Sequence, residues 1–263
     1  MAMFIREKWI EKTEFHPEKD KDVLKKVVAL VDATLAKKEL PVLIFDLDST
    51  LFDVSARSFE ILKEWMQSPE SKSYPETISR FGDLKTTDMR YSLQDVWEIK
   101  KIPHEQPPYD HHFKQARNYW RKRFFSNDYL VHDAPTEGAV EFVNQLHQKG
   151  AMIVYLTGRD VPLMAFGTYD QLKQHGLPIE VDRTRLILKP KRHIDDLDFK
   201  AGVAKLAKEW GTVVASFENE PKNLVAMAKE FAPETMNVFI ESVSSDHPAP
   251  AGKGVYRIRE FHL

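Results

Sequence analysis

Short apolar runs recurring between amphipathic segments constrain this chain more than any other feature. Residues 42–45 (Val-Leu-Ile-Phe), 152–156 (Met-Ile-Val-Tyr-Leu), 186–188, 212–215 and 237–240 are largely apolar and too short for helices. A strand covered on both faces reads this way, as a near-continuous apolar stretch. Between the runs, residues 140–149, 161–175, 198–210 and 221–231 carry apolar side chains at helical spacing. Gly150, Gly176 and Gly211 stand just past the first three, where a helix commonly ends in a left-handed residue. Strands alternating with helices of about 10–15 residues predict an α/β fold. The expected architecture is a Rossmann-like, doubly wound parallel sheet with helices on both faces.

Two stretches fall outside this alternation. Residues 18–38 place Val23, Val27, Leu30, Val31, Thr34 and Leu35 at helical spacing on a lysine-rich background, the pattern of an amphipathic helix. Residues 1–40 are therefore expected to be a helical extension. Residues 57–133 hold no buried-strand run but many aromatics, Trp65, Phe81, Trp97 and Trp120 among them. They predict a mostly helical insertion, broken by Pro103, Pro107 and Pro108. The chain then divides into a core domain, 1–56 with 134–263, and a helical cap domain, 57–133. Residues 242–254, with Pro248 and Pro250, read as a surface loop before a short C-terminal strand.

Composition excludes several classes of function. With 42% hydrophobic and 30% charged residues the chain is of ordinary globular type. A net charge of −2 supplies no whole-molecule field to hold nucleic acid or an anionic membrane. The absence of cysteine removes disulfides, thiolate catalysis and cysteine-bound zinc. Charged residues follow Met1-Ala2-Met3-Phe4-Ile5 before any core of signal-peptide length, and no run approaches the ~20 apolar residues that span a bilayer. A cytoplasmic location, with no membrane partner, is the expectation.

In an open parallel sheet, ligands bind beyond the carboxyl ends of the strands. Asp46 and Asp48 stand there, directly after residues 42–45. Two carboxylates this close repel by about 4 kcal/mol at an effective dielectric near 20. A hard divalent cation offsets that repulsion, and Mg²⁺ prefers one or two carboxylates together with water and phosphate.

The segment Asp46-Leu47-Asp48-Ser49-Thr50-Leu51 resembles the first signature, Asp-x-Asp-x-Thr, of the haloacid dehalogenase superfamily. That resemblance implies a Mg²⁺-dependent phosphatase in which Asp46 attacks phosphorus and forms an aspartyl-phosphate. Asp48 is then the acid for the leaving group and the base for water, and its backbone carbonyl helps hold the metal; Thr50 belongs to the substrate site. Thr157-Gly158-Arg159-Asp160, after the second strand, is similar to the second signature. There Thr157 holds a phosphoryl oxygen, Gly158 lets the backbone approach phosphate, and Arg159 is either a phosphate ligand or part of a structural salt bridge.

The third signature is a lysine that neutralises Asp46 and the phosphate. Lys189 and Lys200 both qualify, and the family's use of a helix start favours Lys200, leaving Lys189 for the pocket rim. The fourth signature normally supplies metal-binding aspartates. Here the chain departs from the pattern: Glu218 stands at the first position, Asn223 aligns with the second, and Glu220 is the alternative ligand.

Adjacent histidines such as His111 and His112 do not share a helix face, so they make a poor metal pair. Phe113, Ala116, Trp120 and Phe124 form one helical stripe, which favours an amphipathic cap helix over a nucleic-acid surface. Arg117, Arg121 and Arg123 on that helix are candidates to steer a phosphorylated substrate. The expected partner is a small phosphorylated molecule. Alternatives are a phosphomutase, a polynucleotide 3′-phosphatase-like enzyme, and a non-catalytic binding protein on a decayed fold of the same family.

Overall fold

The computed structural model describes residues 6–245 and 249–263. The first five residues of the expected extension and residues 246–248 of the expected loop lie outside it. The chain begins with α1 (Arg6–Lys12), β1 (Glu14–Phe15), α2 (Asp20–Ala36), β2 (Pro41–Phe45) and β3 (Phe52–Asp53). A helical stretch follows: α3 (Ser55–Gln67), α4 (Pro75–Arg80), α5 (Leu93–Ile99) and α6 (Tyr109–Phe124). Then come β4 (Ala134–Pro135), α7 (Ala139–Lys149), β5 (Met152–Asp160), α8 (Val161–Gln174), β6 (Thr184–Lys189) and α9 (Asp196–Ala207). The chain closes with β7 (Thr212–Glu218), α10 (Pro221–Ala228), β8 (Met236–Ile240) and β9 (Lys253–Ile258).

Among the described residues, seven strands form one sheet in the order β1-β9-β8-β7-β2-β5-β6. Every neighbouring pair in it runs parallel. The apolar runs are continuous because both faces are covered. Leu43 and Phe45 face a cluster with Val23, Val27 and Val31 of α2 and Phe142 and Leu146 of α7. Val42 and Ile44 face Val203 and Ala207 of α9 and Met227 of α10, as the two-residue period of a strand requires.

Residues 6–40 differ from the expected extension. Val23, Leu24, Val27 and Val31 are fully buried in the main core, and β1 adds a strand at the sheet edge beside β9. A two-residue strand carries too little pattern to be seen in sequence.

The helical stretch has its own core, in which Trp65, Phe81, Trp97 and Leu93 are buried together. The chain leaves the sheet and returns to it through a narrow neck, where β3 and β4 pair antiparallel, Phe52 with Pro135 and Asp53 with Ala134. No helix among the described residues is long and apolar enough to cross a membrane.

Candidate active site

Strand β2 has β5 on one side and β7 on the other, so the chain diverges in two directions from its carboxyl end, the usual ligand position in such sheets. Asp46 is the first residue past β2, and its N–H donates to the Phe217 carbonyl of β7 at 3.0 Å. Beyond it the backbone folds into a tight turn in which Thr50 and Phe52 N–H groups both donate to the Leu47 carbonyl, at 3.1 and 2.9 Å. The turn holds Ser49 at φ +60°, a left-handed conformation costing a non-glycine residue about 1–2 kcal/mol. The chain accepts that cost where it brings Asp46 and Asp48 to the same cavity.

Lys200, in the first half of α9, reaches Asp46 Oδ1 and Glu218 Oε2, each at 2.6 Å. All three side chains are buried. Burial, with the charge of Glu218 alongside, pushes the Asp46 carboxyl up to about 7 against the pull of Lys200. Burial likewise raises Glu218, again opposed by Lys200. Lys200 itself is raised: burial disfavours its charge, but the two carboxylates outweigh burial.

Asp48 is held differently. Arg159 donates to it through Nε at 3.1 Å and Nη2 at 2.8 Å, and Arg57 through Nη2 at 2.5 Å. Burial alone would raise this carboxyl, yet the two guanidiniums hold it well below the ordinary range. The same arginines bridge to the fully buried Asp133, and Arg159 also donates to Thr168 and Gln171.

The other sequence candidates separate into those at the cavity and those behind it. Lys189 pairs with Asp196 and donates to the Ile194 carbonyl at 3.1 Å. Its ammonium is engaged there, whereas Lys200 is the lysine that reaches Asp46. Gly158 lines the cavity, and its hydrogen faces Asp196: an added Cβ would stand 2.7 Å from Asp196 Oδ2. Thr157 is fully buried, its hydroxyl accepting the Arg159 N–H at 3.2 Å. Thr50 is also fully buried and donates to Asn219 Oδ1 at 3.2 Å. Arg159 lines the cavity but is committed to carboxylates, the salt-bridge reading of the two that the sequence left open.

At the end of β7, Glu218 Oε1 accepts the Glu220 N–H at 2.9 Å, and Glu220 is engaged with Ser245. Asn223, in the first turn of α10, lines the cavity while its buried Oδ1 has no hydrogen-bond partner. An orphaned carbonyl oxygen among carboxylates is a donor set of hard oxygens, and it fits Mg²⁺.

Three residues at the site escaped the sequence reading. Arg57 and Asp133 lie on the two sides of the neck, and Asn219 sits between the two glutamates that drew attention. Asn219 had a signal, its place directly after β7. Arg57 had only its distance, nine residues past Asp48, which has no meaning without the fold.

The cavity measures about 590 Å³. Asp46, Asp48, Lys200, Glu218 and Asn223 form its floor, and Arg90, Tyr91, Phe113, Arg117, Trp120 and Arg121 of the helical stretch form its other wall.

No protein-family model matches the chain, and no curated protein does. Among solved structures, a candidate phosphatase from Clostridium difficile superposes with a TM-score of 0.54 at 13% identity, over 84% of this chain and 94% of that one. A haloacid dehalogenase-superfamily hydrolase of subfamily IA from Geobacter sulfurreducens gives 0.49 at 14% identity, over 84% and 93%. Likeness at such identity concerns architecture alone. The chain has the α/β fold of that Clostridium difficile protein, with a parallel sheet covered by helices on both faces.

Proposed function

We propose that this chain is a Mg²⁺-dependent phosphomonoesterase with Asp46 as its nucleophile. The observation that carries this reading is the buried lysine between Asp46 and Glu218, at the meeting point of three strand ends and inside a ligand-sized cavity. Such a lysine neutralises a nucleophilic carboxylate and then a phosphoryl group.

In this reading an Asp46 oxygen attacks phosphorus, the ester P–O bond breaks, and the leaving oxygen departs as an alcohol after taking a proton. Water then cleaves the aspartyl-phosphate, releasing inorganic phosphate and restoring Asp46. Lys200 stabilises the charge that gathers on the phosphoryl oxygens. Asp48, ionised between Arg57 and Arg159, is set to take the proton of the attacking water. Its role as acid in the first half requires one of those arginines to loosen. Thr157 reaches a phosphoryl oxygen only once its hydroxyl leaves the Arg159 N–H. Asp46, the Asp48 carbonyl, Glu218 and Asn223 would hold Mg²⁺, which supplies charge neutralisation at the transferring group. The helical stretch 57–133 acts as the cap that closes the site from one side.

Asp46→Asn tests the assignment. The variant keeps the shape and hydrogen-bonding size of the side chain but not its nucleophilicity. Hydrolysis of aryl phosphates in Mg²⁺ should fall to background, and retained turnover by a folded variant would remove Asp46 from the mechanism.

A further inference from the structure

The cavity above Asp46 has two chemically different sides. On the floor, four of the acids already face cations: Lys200 lies between Asp46 and Glu218, Arg57 and Arg159 hold Asp48, and Lys189 pairs with Asp196. The wall built by residues 90–121 is cationic and has no such compensation. Arg90, Arg117 and Arg121 line it, and among the described residues none has a carboxylate within 4.0 Å. Arg90 donates to the carbonyls of Thr87 and Met89, neutral partners that leave its charge unbalanced. Arg117 and Arg121 are one turn apart on α6 and share a face. Arg123 shows the contrast: it is held by Glu64 at 3.1 Å and by the Tyr129 hydroxyl at 3.0 Å, and it does not line the cavity.

The same wall is aromatic. Trp120 and Phe124 stack at 4.5 Å between ring centroids, and Phe113 lines the cavity with them. Together they offer flat apolar area to another ring. A volume of about 590 Å³ suits a whole small molecule and far exceeds a lone phosphoryl group. One phosphate at the floor accounts for Lys200. It leaves the three arginines and the rings without an occupant.

We propose, building on the phosphomonoesterase reading, that the substrates are phosphomonoesters whose leaving group carries an aromatic ring and a second negative charge. The ring lies against Phe113, Trp120 and Phe124, and the second anion lies at Arg90, Arg117 and Arg121. The enzyme therefore discriminates against singly anionic esters.

The test compares phenyl phosphate with 4-(carboxymethyl)phenyl phosphate, in which a methylene insulates the reacting oxygen from the added carboxylate. The carboxylated ester should show kcat/KM at least about tenfold higher, mostly through KM, as expected for one added charge-assisted contact. In the R117Q/R121Q double variant the ratio should fall towards one. A wild-type ratio near one with both esters turned over, or a ratio unchanged in the double variant, overturns the proposal and leaves the phosphatase reading standing. If neither ester is hydrolysed, the activity reading fails instead. Calorimetric binding of phenylphosphonate and its 4-carboxymethyl derivative then decides: tighter binding of the second, lost in the double variant, keeps the anion site, and equal binding removes it.

Discussion

Lys200 faces two carboxylates with one charge, and the surplus has to be met by a proton or a cation. Burial raises both the Asp46 and the Glu218 carboxyls, Asp46 up to about 7 with the charge of Glu218 beside it, so that proton belongs to the pair. A cation at the site displaces it, so apparent Mg²⁺ affinity should rise with pH to about 7 and level off above. Calorimetry in two buffers of different ionisation enthalpy should detect release of about one proton per Mg²⁺ at pH 6 and far less at pH 8.5. Replacing Lys200 by Met leaves both acids buried without a counter-charge, which should cost about 3 kcal/mol at pH 8. The sign of its pH dependence follows from direction. Without the lysine both carboxyls are raised further, the folded state binds more protons than the unfolded one, and stability falls as pH increases. Denaturation midpoints should therefore show a smaller deficit at pH 6 than at pH 8; an equal deficit would mean that the two carboxylates do not share the burden.

At the scale of elements, glycines separate close packing from mere helix content. Gly167 of α8 meets the residue 127–132 turn so closely that an added Cβ would lie 2.8 Å from Asn127 Cα and carbonyl oxygen. Its N–H also donates to Asn127 Oδ1 at 2.7 Å. Gly167→Ala must push backbone against backbone and should cost about 1–3 kcal/mol. Gly202, inside α9, has nothing within 4 Å of its would-be Cβ, and Gly202→Ala should stabilise by about 0.5–1 kcal/mol. Urea denaturation of the two variants reads both signs. Elements of this size were also what the sequence displayed best. The runs at 42–45 and 152–156 were legible because helices cover both faces of the sheet, and Asp46 because it ends such a run. Lys200 against Lys189 was a choice between two helix and strand ends, and only the fold displays that the Lys200 ammonium is the one reaching Asp46. The end of β5 was misjudged: Thr157 to Asp160 continue the strand instead of turning out of it, so Thr157 faces inward and Arg159 is drawn into a buried ion network. Strand ends are set by what the polar residues find to pair with, and those partners, Asp133 and Asp48, are 26 and 111 residues away.

The whole molecule is joined at the neck, and Arg57 is its central cation. It is fully buried, pairs with both Asp48 and Asp133, and stacks over Phe124 at 4.4 Å. Arg57→Met should cost about 3 kcal/mol by leaving Asp133 short of a partner in a dry site. Arg57→Lys should recover little, because one ammonium cannot reproduce the forked contacts to two carboxylates. Urea denaturation midpoints measure both, and full recovery by lysine would reduce Arg57 to a simple charge. The topology around the neck also has a consequence for biosynthesis. Strand β2 is central to the sheet yet emerges from the ribosome before either of its neighbours: Val42 pairs with Met152 and Val213, and 152 − 42 is 110 residues. At translation speeds of about 5–20 residues per second, its bare apolar edge waits on the order of 5–20 s for the first partner. During that interval the helical insertion is completed beside it, and a nascent chain stalled before β5 is the form of this protein most exposed to aggregation and to chaperone capture.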